Sequence, residues 1–184
     1  QDVPPAFSVL IGPAVSWHRK GDFFTRKRLE AEGAPEDEIA AQLAINAQRE
    51  WRILAPETAS VPDDLRGMTR ERYNFVARNH TADASEDIAR MRGPVLAVWG
   101  AEDLNVDATS DAASYATLLP QQTTQSIVII PDATHGLLRA GLFNYQLIDE
   151  WPSYTKAIFL FGGRHTFAPG ALEQITNWIN ARTG

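Results

Sequence analysis

Three short apolar runs punctuate a chain whose remaining hydrophobic positions fall mostly at helical spacing. Pro94 to Trp99 and Ser126 to Ile130 are each too short for a helix, are rich in β-branched residues and stop at polar turn chemistry. Both are therefore predicted to be buried parallel strands. Between them Ala108, Ala112, Tyr115 and Leu119 recur at helical spacing, and Pro120 closes the run, so the unit reads strand, helix, strand. Phe7 to Ile11 is a third buried strand by the same reasoning, ending at Gly12-Pro13.

From His18 to about Arg92 the pattern is helical and strongly charged. A first helix is expected over Phe23 to Glu32, ended by Gly33. Pro35 then opens a second, with Glu36, Asp37 and Glu38 placed to complement the positive end of its dipole. Ile39, Leu43, Ala47, Trp51 and Leu54 keep one apolar face along it. A third helix is expected over Asp63 to Arg78, with Leu65, Met68, Tyr73 and Val76 on its apolar side, and a short fourth over Ser85 to Met91. Near the end, Pro169 starts a last helix with Leu172, Ile175, Trp178 and Ile179 as its buried stripe. Arg139 to Gly163 carries no clear period, and within it Ala157 to Phe161 reads as a strand or a packed loop.

Composition narrows the function classes. The 184 residues, 44% hydrophobic and 22% charged, suit a folded domain with a sizeable core. A net charge of −6 argues against a nucleic-acid surface, and the one basic cluster, Arg26-Lys27-Arg28, is followed at once by Glu30 and Glu32, as on a solvated helix face. No apolar run approaches the roughly 20 residues a membrane helix needs, so no membrane partner is expected. No signal-peptide pattern opens at Gln1, and any targeting segment is expected to have been lost with whatever preceded it. The chain has no cysteine, which excludes disulfides and a thiol nucleophile and leaves the localisation open.

The candidate chemistry sits just past the two central strands. Asp103 follows the first and His135 the second. In an open parallel sheet, the loops beyond the carboxyl ends of the strands form the ligand crevice, so the two side chains are expected on one rim. Glu102 and Asp107 crowd the same turn, but Asp107 precedes a helical run and is expected to cap it. His18 and His80 lie in charged surroundings and are expected to be solvated, whereas His165 follows no clear strand.

Gly100-Ala101-Glu102-Asp103 and Pro131-Asp132-Ala133-Thr134-His135-Gly136 together resemble the acid and base turns of the α/β-hydrolases. The resemblance extends upstream through Phe7 to Ser16 and downstream to the terminal helix. It implies an α/β fold, the carboxyl-terminal part of an α/β-hydrolase, with residues 1–17 and 93–184 as core and 18–92 as a helical cap. It implies Asp103 as triad acid and His135 as base, no cofactor, and a small ester or other acyl substrate. The family's nucleophile stands on a Gly-x-Ser-x-Gly elbow. No such motif occurs here, and Ser16 reads as a plain loop serine. The chain by itself is therefore expected to be inactive, with a missing amino-terminal half or another copy of the chain occupying the Phe7 to Ile11 edge. Two other readings stand beside the hydrolase: a non-catalytic binding or regulatory module, and a metal site of Asp103, Asp107 and His135, which lacks the usual histidine spacing.

Overall fold

The computed structural model describes residues 5–53, 69–121 and 123–183. The chain divides into two compact units, one of residues 16–83 and one made of the residues through Val15 together with those from Ala84 onward.

The second of these is an α/β unit. Its strands β1 (Ser8–Ile11), β2 (Val95–Gly100) and β3 (Gln125–Ile130) form a parallel sheet in the order β1-β2-β3. Side chains alternate between the faces of a strand, and β2 shows the consequence. Val95, Ala97 and Trp99 enter one core cluster with Val15, Ile88 and Tyr115, while Leu96 and Val98 enter another with Ile130, Leu137 and Trp178. All five of those β2 residues are fully buried, as a central parallel strand requires. β3 is expected to be equally buried, yet Ile129 is 38% exposed, and among the described residues β3 pairs on one side only.

The helical unit contains α1 (Trp17–Ala31), α2 (Glu36–Ile53) and α3 (Arg70–Asn79). α1 begins six residues before its expected start, since the polar His18 to Lys20 run, which hides the apolar period, is accommodated in the helix with His18 and Arg19 exposed and Lys20 half-buried. α1 and α2 are tied by Arg26 Nη1 to Glu36, at 2.9 and 2.8 Å, and by Asn46 Nδ2 donating to Thr25 Oγ1. Thr69 caps α3 by accepting from the Arg72 amide. Of the predicted third helix, the part before Thr69, with Leu65 and Met68, lies outside the described residues, as does Leu54 of the second helix's stripe.

The α/β unit adds α4 (Ser85–Arg90), α5 (Ala108–Leu118), α6 (Ala140–Phe143), α7 (Ser153–Gly162) and α8 (Ala171–Thr183). Ile88 of α4 and Ala112 and Tyr115 of α5 cover one face of the sheet, and Ala171 and Trp178 of α8 cover the other. Burial, helped by the Asp111 carboxylate, pushes the Tyr115 hydroxyl up to about 12. The stretch that read as strand or packed loop, Ala157 to Phe161, is neither. It is the second half of α7, entered from Pro152 at the N-cap position. Among the described residues no helix is long and apolar enough to cross a membrane.

Candidate acid–base site

Parallel strands deliver their carboxyl ends to one edge, and β2 and β3 end side by side, with Gly100 paired to Ile130. The exit turns are then bonded to each other: the Ala101 amide donates to Ile130 O and the Glu102 amide to Ala133 O, both at 2.9 Å. This approach needs a glycine. A Cβ on Gly100 would lie 2.2 Å from the carbonyl oxygens of both Ala133 and Thr134.

Asp103 lies in the β2 exit turn with its side chain fully buried. Its Oδ1 accepts from the amides of Asn105 (2.7 Å) and Val106 (3.0 Å), an Asx-type turn, and its Oδ2 accepts from His135 Nδ1 at 2.8 Å. Three donors therefore compensate the buried carboxylate, the condition under which such a group is tolerated away from water. The bond also sets the imidazole, because a ring nitrogen donating to a carboxylate leaves the lone pair on the other nitrogen. Nε2 has no hydrogen-bond partner among the described residues, and the His135 side chain is 37% exposed.

The loop carrying His135 is tightly tied. The Thr134 amide donates to Leu138 O, the Leu137 amide to Thr134 O, the Leu138 amide to Thr134 Oγ1 and the Ala140 amide to Asp132 O. Asp132 and Leu137 have positive φ, 53° and 60°. Aspartate tolerates that region, but for leucine it costs on the order of 1 kcal/mol. Leu137 keeps it because its side chain is buried in the core cluster with Val98 and Trp178.

The rival groups fall elsewhere. Glu102 is exposed, and Asp107 caps α5 by accepting from the Ser110 amide at 3.0 Å. His18 is exposed on α1, 3.5 Å from Asp22, and His165 is exposed in the turn Gly163–Thr166. His80 corrects the expectation of a solvated ring. It is 8% exposed, with Nδ1 on the carbonyls of Val76 and Ala77 at the end of α3. Ser16 is the N-cap residue of α1. No group of three metal-ligating side chains comes together among the described residues, and with Asp107 on its helix the metal reading loses a member.

Two features beyond the sequence reading shape the site. Gly12, at the end of β1, has φ 57°, and a Cβ there would lie 2.8 Å from His135 Cε1 and 2.9 Å from Nδ1, so the imidazole rests against the β1 exit. A cleft of about 640 Å³ also opens at His135, walled by Leu104, Asn105, Phe143, Trp151 and Phe159. The only sequence signal for that wall was the density of aromatic residues between Arg139 and Gly163. In comparisons with known proteins, no family model, curated protein or solved structure matches the chain.

Proposed function

We propose that the chain is the carboxyl-terminal part of a serine hydrolase of the α/β-hydrolase kind, acting on carboxylic esters or related acyl substrates, with the helical unit as its cap. One observation carries this reading: a fully buried carboxylate holds His135 Nδ1 at 2.8 Å while the ring opens onto a cleft. In that arrangement Asp103 fixes the tautomer and stabilises the imidazolium. His135 Nε2 takes the proton of a serine hydroxyl as its oxygen attacks the acyl carbon, then returns it to the leaving group. The serine and the oxyanion-hole amides come from outside these 184 residues, since neither Gly-x-Ser-x-Gly nor a cysteine occurs within them. That same absence favours the competing reading, a non-catalytic module that retains the sheet and cleft.

The chain alone should hydrolyse 4-nitrophenyl acetate no faster than free imidazole at equal concentration, because its sequence holds neither a Gly-x-Ser-x-Gly elbow nor a cysteine to form and stabilise a tetrahedral intermediate. Hydrolysis above that background, abolished by a serine-directed phosphonate, would show a nucleophile within the chain and overturn this assignment of parts.

A second expectation concerns β1. The Ser8 amide donates to Pro94 O and the Gly12 amide to Val98 O, so even-numbered residues face β2, and the amides and carbonyls of Val9 and Ile11 point away from it. Among the described residues none pairs with them, and Ile11 is 51% exposed. An apolar strand edge of this kind invites a further strand. The nucleophile-bearing polypeptide or a second copy of the chain should occupy it. Size-exclusion chromatography with light scattering should show association at low micromolar concentration. A cooperatively unfolding monomer with rapidly exchanging Val9 and Ile11 amides would contradict this.

A further inference from the structure

Resting on the hydrolase reading, we infer that the cleft selects substrates whose group beside the scissile bond is apolar, aromatic in size and free of negative charge, with Phe159 as a specificity-determining residue. The volume is the first argument. About 640 Å³ is far more than an acetyl group fills and lies within the range of sites that bury a small organic ligand, roughly 300 to 1,000 Å³.

The wall is the second. Phe143, Trp151 and Phe159 pack on one another edge to face or tilted, with ring centroids 5.2 to 6.2 Å apart. Phe143 is 1% exposed and anchors the group, whereas Phe159 is 44% exposed and keeps a ring face for a ligand. Aromatic partners favour such offset or edge contacts with a further ring. The apolar lining begins at the catalytic turn itself, since Leu104 follows Asp103 in the chain and Leu138 lies three residues after His135. It ends in an apolar mouth, with Leu147 and Ile148 lining the cleft at 45% and 70% exposure.

Charge is the third. Among the described residues no lysine or arginine lines the cleft, and the one carboxylate that does is the exposed Asp149. A carboxylate-bearing substrate would lose water and meet a like charge without a compensating cation, a combination that strongly disfavours binding. The side-chain amide of Gln146, which also lines the cleft, donates to Leu104 O at 3.0 Å.

The test uses the full chain and a matched pair of probes without an ester, neutral 4-phenylbutyramide and anionic 4-phenylbutyrate, measured by isothermal titration. The amide should bind at least about ten-fold more tightly than the carboxylate. Phe159→Ala should weaken the amide about five-fold or more, consistent with loss of one aromatic contact. Phe159→Lys should narrow or reverse the preference, which a purely structural role for this half-exposed ring would not do. Equal binding of the two probes, no binding of either, or a preference unmoved by Phe159→Lys would overturn the inference. Because no bond is cleaved, the result is independent of turnover. Expected binding together with an enzyme whose hydrolysis survives loss of His135 would instead overturn the hydrolase reading and leave the cleft's selectivity standing.

Discussion

Gly100→Ala should cost the chain at least about 3 kcal/mol, a large part of the roughly 5–15 kcal/mol that holds a domain folded. The added Cβ would lie 2.2 Å from two backbone oxygens, those of Ala133 and Thr134. Neither can turn aside as a side-chain tip could. Both belong to the loop fixed by the bonds Glu102 N to Ala133 O and Thr134 N to Leu138 O, so relief requires the β2 and β3 exits to separate. Urea unfolding should show a much lower midpoint or no cooperative transition. Gly21→Ala supplies the contrast. Gly21 lies within α1 with nothing inside 4 Å of an added Cβ, so that change should stabilise by about 0.5–1 kcal/mol. Equal midpoints for Gly100→Ala and the parent would mean that the two exits are not packed as described.

The second large effect is on chemistry. If the proposed hydrolase function holds, then in a preparation where the nucleophile is present His135→Ala should lower turnover by several orders of magnitude, and Asp103→Asn by a comparable factor, because the members of a triad act as a unit. The two should not behave alike in stability. His135 is partly exposed, whereas Asp103 also satisfies the Asn105 and Val106 amides, so Asp103→Ala orphans two backbone donors at about 1–3 kcal/mol each. Steady-state kinetics with denaturant melts separates the two consequences. Full esterase activity in His135→Ala would move the base elsewhere.

What could be read in the sequence was whatever is decided locally. The β2, α5, β3 unit was legible because Val95 to Trp99, Ala108 to Leu119 and Ser126 to Ile130 each keep one period and end at clear punctuation, and because parallel strands must place Asp103 and His135 at the same edge. α7 was not, since Ala157 to Phe161 is uniformly apolar and gives no period; Pro152, at the N-cap position, is the start signal the sequence carries. The exposure of Ile158, Leu160 and Phe161 defeats the assumption that an apolar run is buried. His80 shows the converse: charged neighbours in sequence do not stop the end of α3 from burying the ring. The contact of Gly12 with His135 joins residues distant in the chain, and no local pattern encodes it; the aromatic wall leaves only the density of aromatic residues between Arg139 and Gly163 as its trace.

The bond from His135 Nδ1 to Asp103 requires the proton on Nδ1 and, in the neutral ring, the lone pair on Nε2. Nitrogen-15 NMR of the histidine-labelled chain at about pH 9, where an ordinary imidazole is neutral, reports that tautomer directly. A protonated Nδ1 and a bare Nε2 are expected for His135, with the Nδ1 proton in a strong hydrogen bond that weakens in Asp103→Asn. A His135 ring protonated on Nε2, or one unchanged by Asp103→Asn, would contradict it.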